Sequence, residues 1–238
     1  MASRRAHRAR SSRWGDGVTA HGAVGRVIVF EGGEGSGKST QLARLSALFT
    51  ERVIPHVCLR EPGGTPLGTE VRGLLLDRAS DIDPRAEALL FMASRAQLVD
   101  RAIRPALARG DVVLLDRFFL STYAYQVAGH GLNEAEVRSA NHFATGGLVP
   151  DLTVLLRFPV RDGLARAGER AAAHDRMEAM GASFHDRVSA ALGAFAEPAW
   201  QATHAECGPI VAVDAVGSED EVAARVRTVV NARWPGTC

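Results

Sequence analysis

Residues 26–40 read RVIVFEGGEGSGKST, and their reading decides the fold class. Arg26 to Glu31 is a short apolar run rich in β-branched residues, which is the composition of a buried strand. The run Gly32-Gly33-Glu34-Gly35-Ser36-Gly37-Lys38-Ser39-Thr40 matches the phosphate-binding loop pattern G-x-x-x-x-G-K-[ST]. From Ser39 to Val53 apolar residues recur near helical spacing at Leu42, Leu45, Leu48 and Phe49, so a helix follows the loop. Strand, glycine loop and helix in that order aim backbone N–H groups and a helix N-terminus at an anion. Lys38 is the only lysine in the chain; every other strongly basic residue is arginine. A guanidinium is planar and wide, whereas an ammonium is a point charge that can slip between phosphate oxygens. The stretch therefore points to nucleotide binding.

Outward from the loop, further strand candidates are Val57 to Arg60, Val112 to Asp116, Leu152 to Leu156 and Ile210 to Asp214, separated by helical patterns. Thr69 to Leu76 forms one helix. Pro84 to Arg109 forms a long one, with Asp83 as cap, Pro84 at the first helical position and Pro105 predicting a kink or early end. Asn133 followed by Glu136, and Ser218 followed by Glu221, place cap residues three before a glutamate. Alternating strands and helices imply an α/β fold: one five-stranded parallel sheet with helices on both faces. Right-handed crossovers would put the strand C-terminal ends on one edge. The phosphate loop, Arg60-Glu61 and Asp116-Arg117 all follow strands and should meet there.

Composition narrows the function classes. The chain has 238 residues, 46% hydrophobic and 23% charged, enough for one domain with a full core. A net charge of +1 gives no global electrostatic case for nucleic acid or membrane. Residues 1–25 hold five arginines and one aspartate, and they read as a disordered basic extension ahead of a domain over 26–234. Their Arg- and Ser-rich, acid-poor character also resembles a transit peptide. Cys58, Cys207 and Cys238 are far apart and form neither metal spacing nor a disulfide framework, so a reducing cytoplasm is the expected setting. No apolar run approaches transmembrane length.

Several residues carry candidate chemistry. Asp116 ends a buried strand, where an acid holds magnesium opposite the Ser39 hydroxyl of a phosphate loop. Arg117 follows at once, either as a structural partner of Asp116 or as a forked phosphate ligand. Residues 60–68, REPGGTPLG, read as a turn with an Arg-Glu pair at its mouth. Phe91 and Arg95 are four apart and share a helix face. Spacing alone reads Phe91 as core and Arg95 as a solvated charge, while a ring and a fork for a base is the alternative.

Taken together, FEGGEGSGKST (30–40), REPGGTPLG (60–68), FMASR (91–95), DRFFLSTYAYQ (116–126), NHFATGGLVPDLT (141–153) and DRME (175–178) resemble the thymidylate kinases of the bacterial kind. The resemblance implies a P-loop NTPase fold like that of nucleoside monophosphate kinases, with a lid over about 166–180. It implies transfer of the γ-phosphoryl of ATP to dTMP with magnesium. Gly32, Gly33, Glu34, Gly35, Ser36, Gly37, Lys38, Ser39 and Thr40 would bind ATP, with Lys38 bridging the β and γ groups. Ser39, Asp116 and, through water, Glu61 would serve magnesium. Arg72 and Arg117 would hold the dTMP phosphate, with Glu34 near its sugar or phosphate. Phe91 would stack on thymine, Arg95 would donate to its O4, and Thr122, Tyr125 and Gln126 would close the pocket.

The same resemblance implies a catalytic lid arginine, Arg170 or else Arg166, although alanines fill 171–173 where another basic residue is expected. It also implies a homodimer. Arg157 stands where an acid is usual, and Val127 to His130 replaces a stretch richer in glycine and arginine. A kinase for another nucleotide, a GTP switch and a weakened nucleotide binder are the rivals. The switch lacks its N-K-x-D signature, because the single lysine is already in the loop.

Overall fold

The computed structural model describes residues 25–159, 163, 176, 177 and 179–238. The basic extension, Arg166, Arg170 and most of the expected lid lie outside the described residues. Five strands, β1 (Arg26–Gly32), β2 (His56–Arg60), β3 (Val112–Asp116), β4 (Leu152–Arg157) and β5 (Ile210–Asp214), form one parallel sheet in the order β2-β3-β1-β4-β5. The helices are α1 (Lys38–Glu51), α2 (Pro66–Leu76), α3 (Pro84–Leu98), α4 (Arg104–Ala108), α5 (Phe119–Thr122), α6 (Glu134–Thr145), α7 (Ala182–Ala194), α8 (Pro198–Thr203) and α9 (Glu219–Arg233).

Alternation along β1 builds the layers. Ile28 and Phe30 join Leu42, Leu45 and Phe49 of α1 and Val222, Val226 and Val230 of α9 in one core. Val27 and Val29 face the other way and pack with Leu98 of α3, Phe119 of α5 and Val188 and Leu192 of α7. A strand buried on both faces has no polar side to spare, which is why these runs read as continuously apolar. Register then sets the site: Asp116 is the partner of both Phe30 and Arg60, so the loop after β1, Glu61 and Asp116 stand at one sheet edge.

Local signals account for most boundaries. Asp83, Asn133 and Ser218 cap α3, α6 and α9, the last with a full capping box to Glu221. α2 starts earlier than the Thr69 expected from periodicity, because Thr65 caps it through Gly68 N–H and Pro66 occupies the first turn. The helix from Pro84 is interrupted by a π turn, Val99–Ile103, before α4 resumes and carries Pro105 through its first turn. The widened turn precedes the proline, which has no N–H to donate, and the chain continues to Ala108 instead of stopping.

Candidate active site

The loop after β1 is shaped by backbone conformations that favour glycine. Gly32, Gly35 and Gly37 have φ of 146°, 66° and 89°. A Cβ on Gly32 would sit 2.6 Å from the Leu156 carbonyl oxygen. Gly37 opens α1 with no side-chain cap, so the first N–H groups of that helix are left for an anion. Lys38 is buried and donates to the carbonyls of Gly32 (3.0 Å) and Gly33 (2.7 Å). Burial, followed by the nearby Arg117 charge, lowers its pKa to about 8. Ser36 Oγ also donates to Gly33 O, at 2.8 Å.

Ser39 Oγ donates to Asp116 Oδ2 at 2.7 Å, joining the loop to the end of β3. Asp116 Oδ1 and Glu61 Oε1 are buried without a hydrogen-bond partner among the described residues. Such orphaned carboxylate oxygens beside a hydroxyl fit a hard divalent cation that keeps several waters and takes its other ligands from phosphates. Among the described residues no cluster of three or more His, Cys, Asp or Glu could hold an ion alone.

Arg117 follows Asp116 with φ of 69°, a conformation uncommon outside glycine. Its backbone N–H is held by Phe30 O at 3.0 Å, and its guanidinium donates to Ser121 Oγ at 2.9 Å and pairs with Glu34. Tyr125 lies beneath the guanidinium, 5.4 Å from ring centre to Cζ, and donates from its hydroxyl to Glu34 Oε1 at 3.2 Å. Burial would raise the Glu34 carboxyl, but Arg117 and Lys38 bring it down to about 2. One residue here carried no sequence signal. Glu31, fully buried, accepts from Phe118 N–H (2.7 Å), Ser121 N–H (3.1 Å) and Ser121 Oγ (2.7 Å), which anchors the start of α5 under Arg117.

Beyond Arg117 opens a cleft of about 650 Å³, part of it open to solvent. Glu34 and Arg117 line it together with Pro62, Arg72, Phe91, Arg95, Thr122 and Gln126. Tyr125 and Met177 complete the wall. The residues expected around a pyrimidine monophosphate are thus neighbours in space, and Glu34 ties them to the phosphate loop. Arg95 is not solvated: it is 2% exposed. Its N–H groups reach Glu61 (2.7 and 2.6 Å), Thr122 Oγ1 (2.9 Å), Asn141 Oδ1 (2.6 Å) and Phe118 O (2.9 Å). Four of the five guanidinium donors are thus in hydrogen bonds, and the fifth lies against the Glu61 carboxylate. Burial raises the Glu61 carboxyl against the opposing pull of Arg95. Arg72 reaches Pro62 O at 3.2 Å.

On the other side of the loop, Gly35, Ser36, Gly37 and Thr40 line a second cleft with Gln41 and residues 215–222, ahead of and within α9. Gln41 Nε2 donates to Glu219 O at 3.0 Å and fastens α9 to α1. Gln41 carries no signal in the sequence, and Ser218 of the β5–α9 segment is legible there as a helix cap and not as part of a site. Arg176 of the DRME block, within the range expected for the lid, donates to Leu75 O at 2.9 Å and pairs with Glu87, so it acts as a strut to α2 and α3.

A glycine cradle at the edge of a five-stranded parallel sheet, with a second cleft across its lysine, defines a P-loop phosphotransferase site. Comparison with known proteins agrees. The family model described as thymidylate kinase matches residues 30–212. Curated relatives named thymidylate kinase include one from Leifsonia xyli, 45% identical over 88% of this chain and 96% of the relative. Another, from Deinococcus radiodurans, is 46% identical over 88% of this chain and 98% of its own length. A third, from a Synechococcus strain, is 47% identical over 87% of this chain and 95% of its own. The chain belongs to the thymidylate kinase family.

Proposed function

We propose that this protein transfers the γ-phosphoryl group of ATP to dTMP, giving dTDP and ADP. The observation that carries the reading is the shared wall: Glu34 of the glycine loop and Arg117, just after β3, line the same cleft as Phe91, Arg95 and Gln126. Donor and acceptor phosphates therefore meet at one point. The bond from γ-phosphorus to the β–γ bridging oxygen breaks as the bond to a dTMP phosphate oxygen forms. The acceptor oxygen is already anionic, so positioning and charge neutralisation are what the protein supplies.

Backbone N–H groups of residues 32–40 hold the ATP phosphates, and Lys38 exchanges its two carbonyl partners for β and γ oxygens. Arg117 and Arg72 hold the dTMP phosphate. Ser39, Asp116 and, through water, Glu61 would hold magnesium, which when bound neutralises charge between the β and γ groups. Phe91 stacks on the base, and Tyr125 crowds a 2′-hydroxyl. Arg95 meets thymine O4 by sharing a proton it already gives to a neutral partner, Thr122 or Asn141. Its fixed position leaves a cytosine amino group facing donors. Arg170, or else Arg166, supplies the lid charge, and lid closure limits loss of phosphate to water.

The test is ADP and dTDP formation by the full chain with dTMP, dUMP, dCMP and dGMP in turn. Turnover highest with dTMP supports the reading; equal turnover with dGMP, or none with any acceptor, sinks it. A cytoplasmic setting agrees with the absence, among the described residues, of a helix long and apolar enough to cross a membrane. A homodimer agrees with the exposure of Leu74 (54%), Leu89 (62%) and Phe143 (89%) on α2, α3 and α6, of which α3 packs against both others. Phe143→Glu should convert a dimer to a monomer by light scattering after size exclusion, and an unchanged dimer would exclude this face.

A further inference from the structure

Glu87 sits in the first turn of α3, fully buried, and takes no part in the reading above. Its Oε1 accepts from Gln126 Nε2 at 3.0 Å. His130 Nε2 lies 3.1 Å from the same oxygen, off the line of a formed hydrogen bond. Its other oxygen pairs with Arg176. Arg176 also donates from Nε to Leu75 O (2.9 Å) and from its backbone N–H to Leu76 O (3.2 Å). One carboxylate thus joins α3, the π turn Tyr123–Gly129 and, through Arg176, the end of α2. Burial would raise the Glu87 carboxyl, but the nearby His130 ring and its partners Arg176 and Gln126 hold it below the usual range. It is an ionised group that can only accept.

An acceptor-only neighbour removes the ambiguity of an amide. The NH₂ of Gln126 must turn to Glu87, and the carbonyl must turn away. Gln126 lines the cleft beside Phe91 and Arg95. Its Oε1 has no hydrogen-bond partner among the described residues. We propose that Glu87 is a specificity-determining positioning residue, holding Gln126 so that the base site presents a carbonyl acceptor. Thymine and uracil offer a donor, N3–H, to that acceptor, whereas cytosine offers a bare ring nitrogen and is left with two acceptors opposed. The inference rests on the cleft being the dTMP site.

The experiment compares kcat/KM for dTMP, dUMP and dCMP in the wild-type chain and in Glu87→Gln. A glutamine at 87 can donate to Gln126 Oε1, which lets the Gln126 NH₂ turn to the base. The preference for dTMP over dCMP should fall roughly 10–100-fold, while the dTMP to dUMP ratio stays within about twofold. A merely structural role would lower all three in parallel, and that result, or an unchanged dCMP preference, overturns the proposal. Should Glu87→Gln fail to fold by circular dichroism, Glu87→Asp keeps the charge on Arg176 but withdraws the carboxylate from Gln126. It should shift selectivity the same way, and retained selectivity in that variant also overturns the proposal. A wild-type chain without preference for dTMP over dCMP would instead fail the reading of the cleft itself.

Discussion

At the proposed phosphate end of the site, residues 32–39 come from one unbroken stretch that offers backbone N–H groups and one ammonium. At the proposed base end, Phe91, Arg95, Thr122, Gln126 and Met177 arrive from separate segments, and Arg95 is held by contacts with residues distant in sequence. The partners of Arg95 lie 34, 27 and 46 residues away in sequence at Glu61, Thr122 and Asn141. The first end is a local device that works wherever a strand feeds a helix through that loop. The second exists only when the chain has folded. The difference teaches that phosphate affinity and base choice are separable here, and substitutions should divide along that line.

The largest effect belongs to the cradle. Lys38→Ala should lower turnover by about 10³-fold or more, since it removes the cation bridging the transferring group. Lys38→Arg should be severely impaired as well, because a planar fork does not fit where a point charge slips between oxygens. Steady-state assays with ATP and dTMP decide this, and an arginine variant near wild-type turnover would break the account of the single lysine.

Next is the base end. Arg95→Gln strands Glu61, a buried carboxylate, and should cost about 3–5 kcal/mol of stability, or on the order of 10 °C in Tm. It should also raise KM for dTMP more than for ATP. Calorimetry and kinetics measure the two consequences, and equal effects on both KM values would erase the division between the ends.

The smallest effect is a pH dependence. Burial and the Arg117 charge lower the Lys38 pKa from 10.5 to about 8. The cation is therefore lost as pH rises through about 8, and kcat/KM for ATP should fall about tenfold per unit above it. A profile flat to higher pH would mean that the ammonium stays protonated in the free enzyme.

Legibility in the sequence follows the same division. The inner strands β1, β3 and β4 were readable because they are buried on both faces and so continuously apolar, the edge strands β2 and β5, partly exposed, from their short apolar runs, and α3, α6 and α9 carried their caps beside them. The π turn before Pro105 was less so, because a missing N–H says that a helix is disturbed and not how the disturbance is absorbed. Arg95 read as a solvated charge from spacing, yet it is buried with every donor engaged. Glu31 and Glu87 gave no signal, since an acid in a strand or helix looks alike whether it faces water or anchors a loop.

By itself the sequence determined the cradle: glycines at the positive-φ positions, a helix start without a side-chain cap, and a lysine placed where phosphates would lie. Those properties depend on neighbours a few residues away, and chain connectivity guarantees them. Only the tertiary structure decided that Arg95 is saturated, that Glu31 anchors α5 and that Glu87 turns the Gln126 amide. Hydrogen bonds are short and directional, so their pairing depends on which distant elements the sheet brings within about 3 Å of one another.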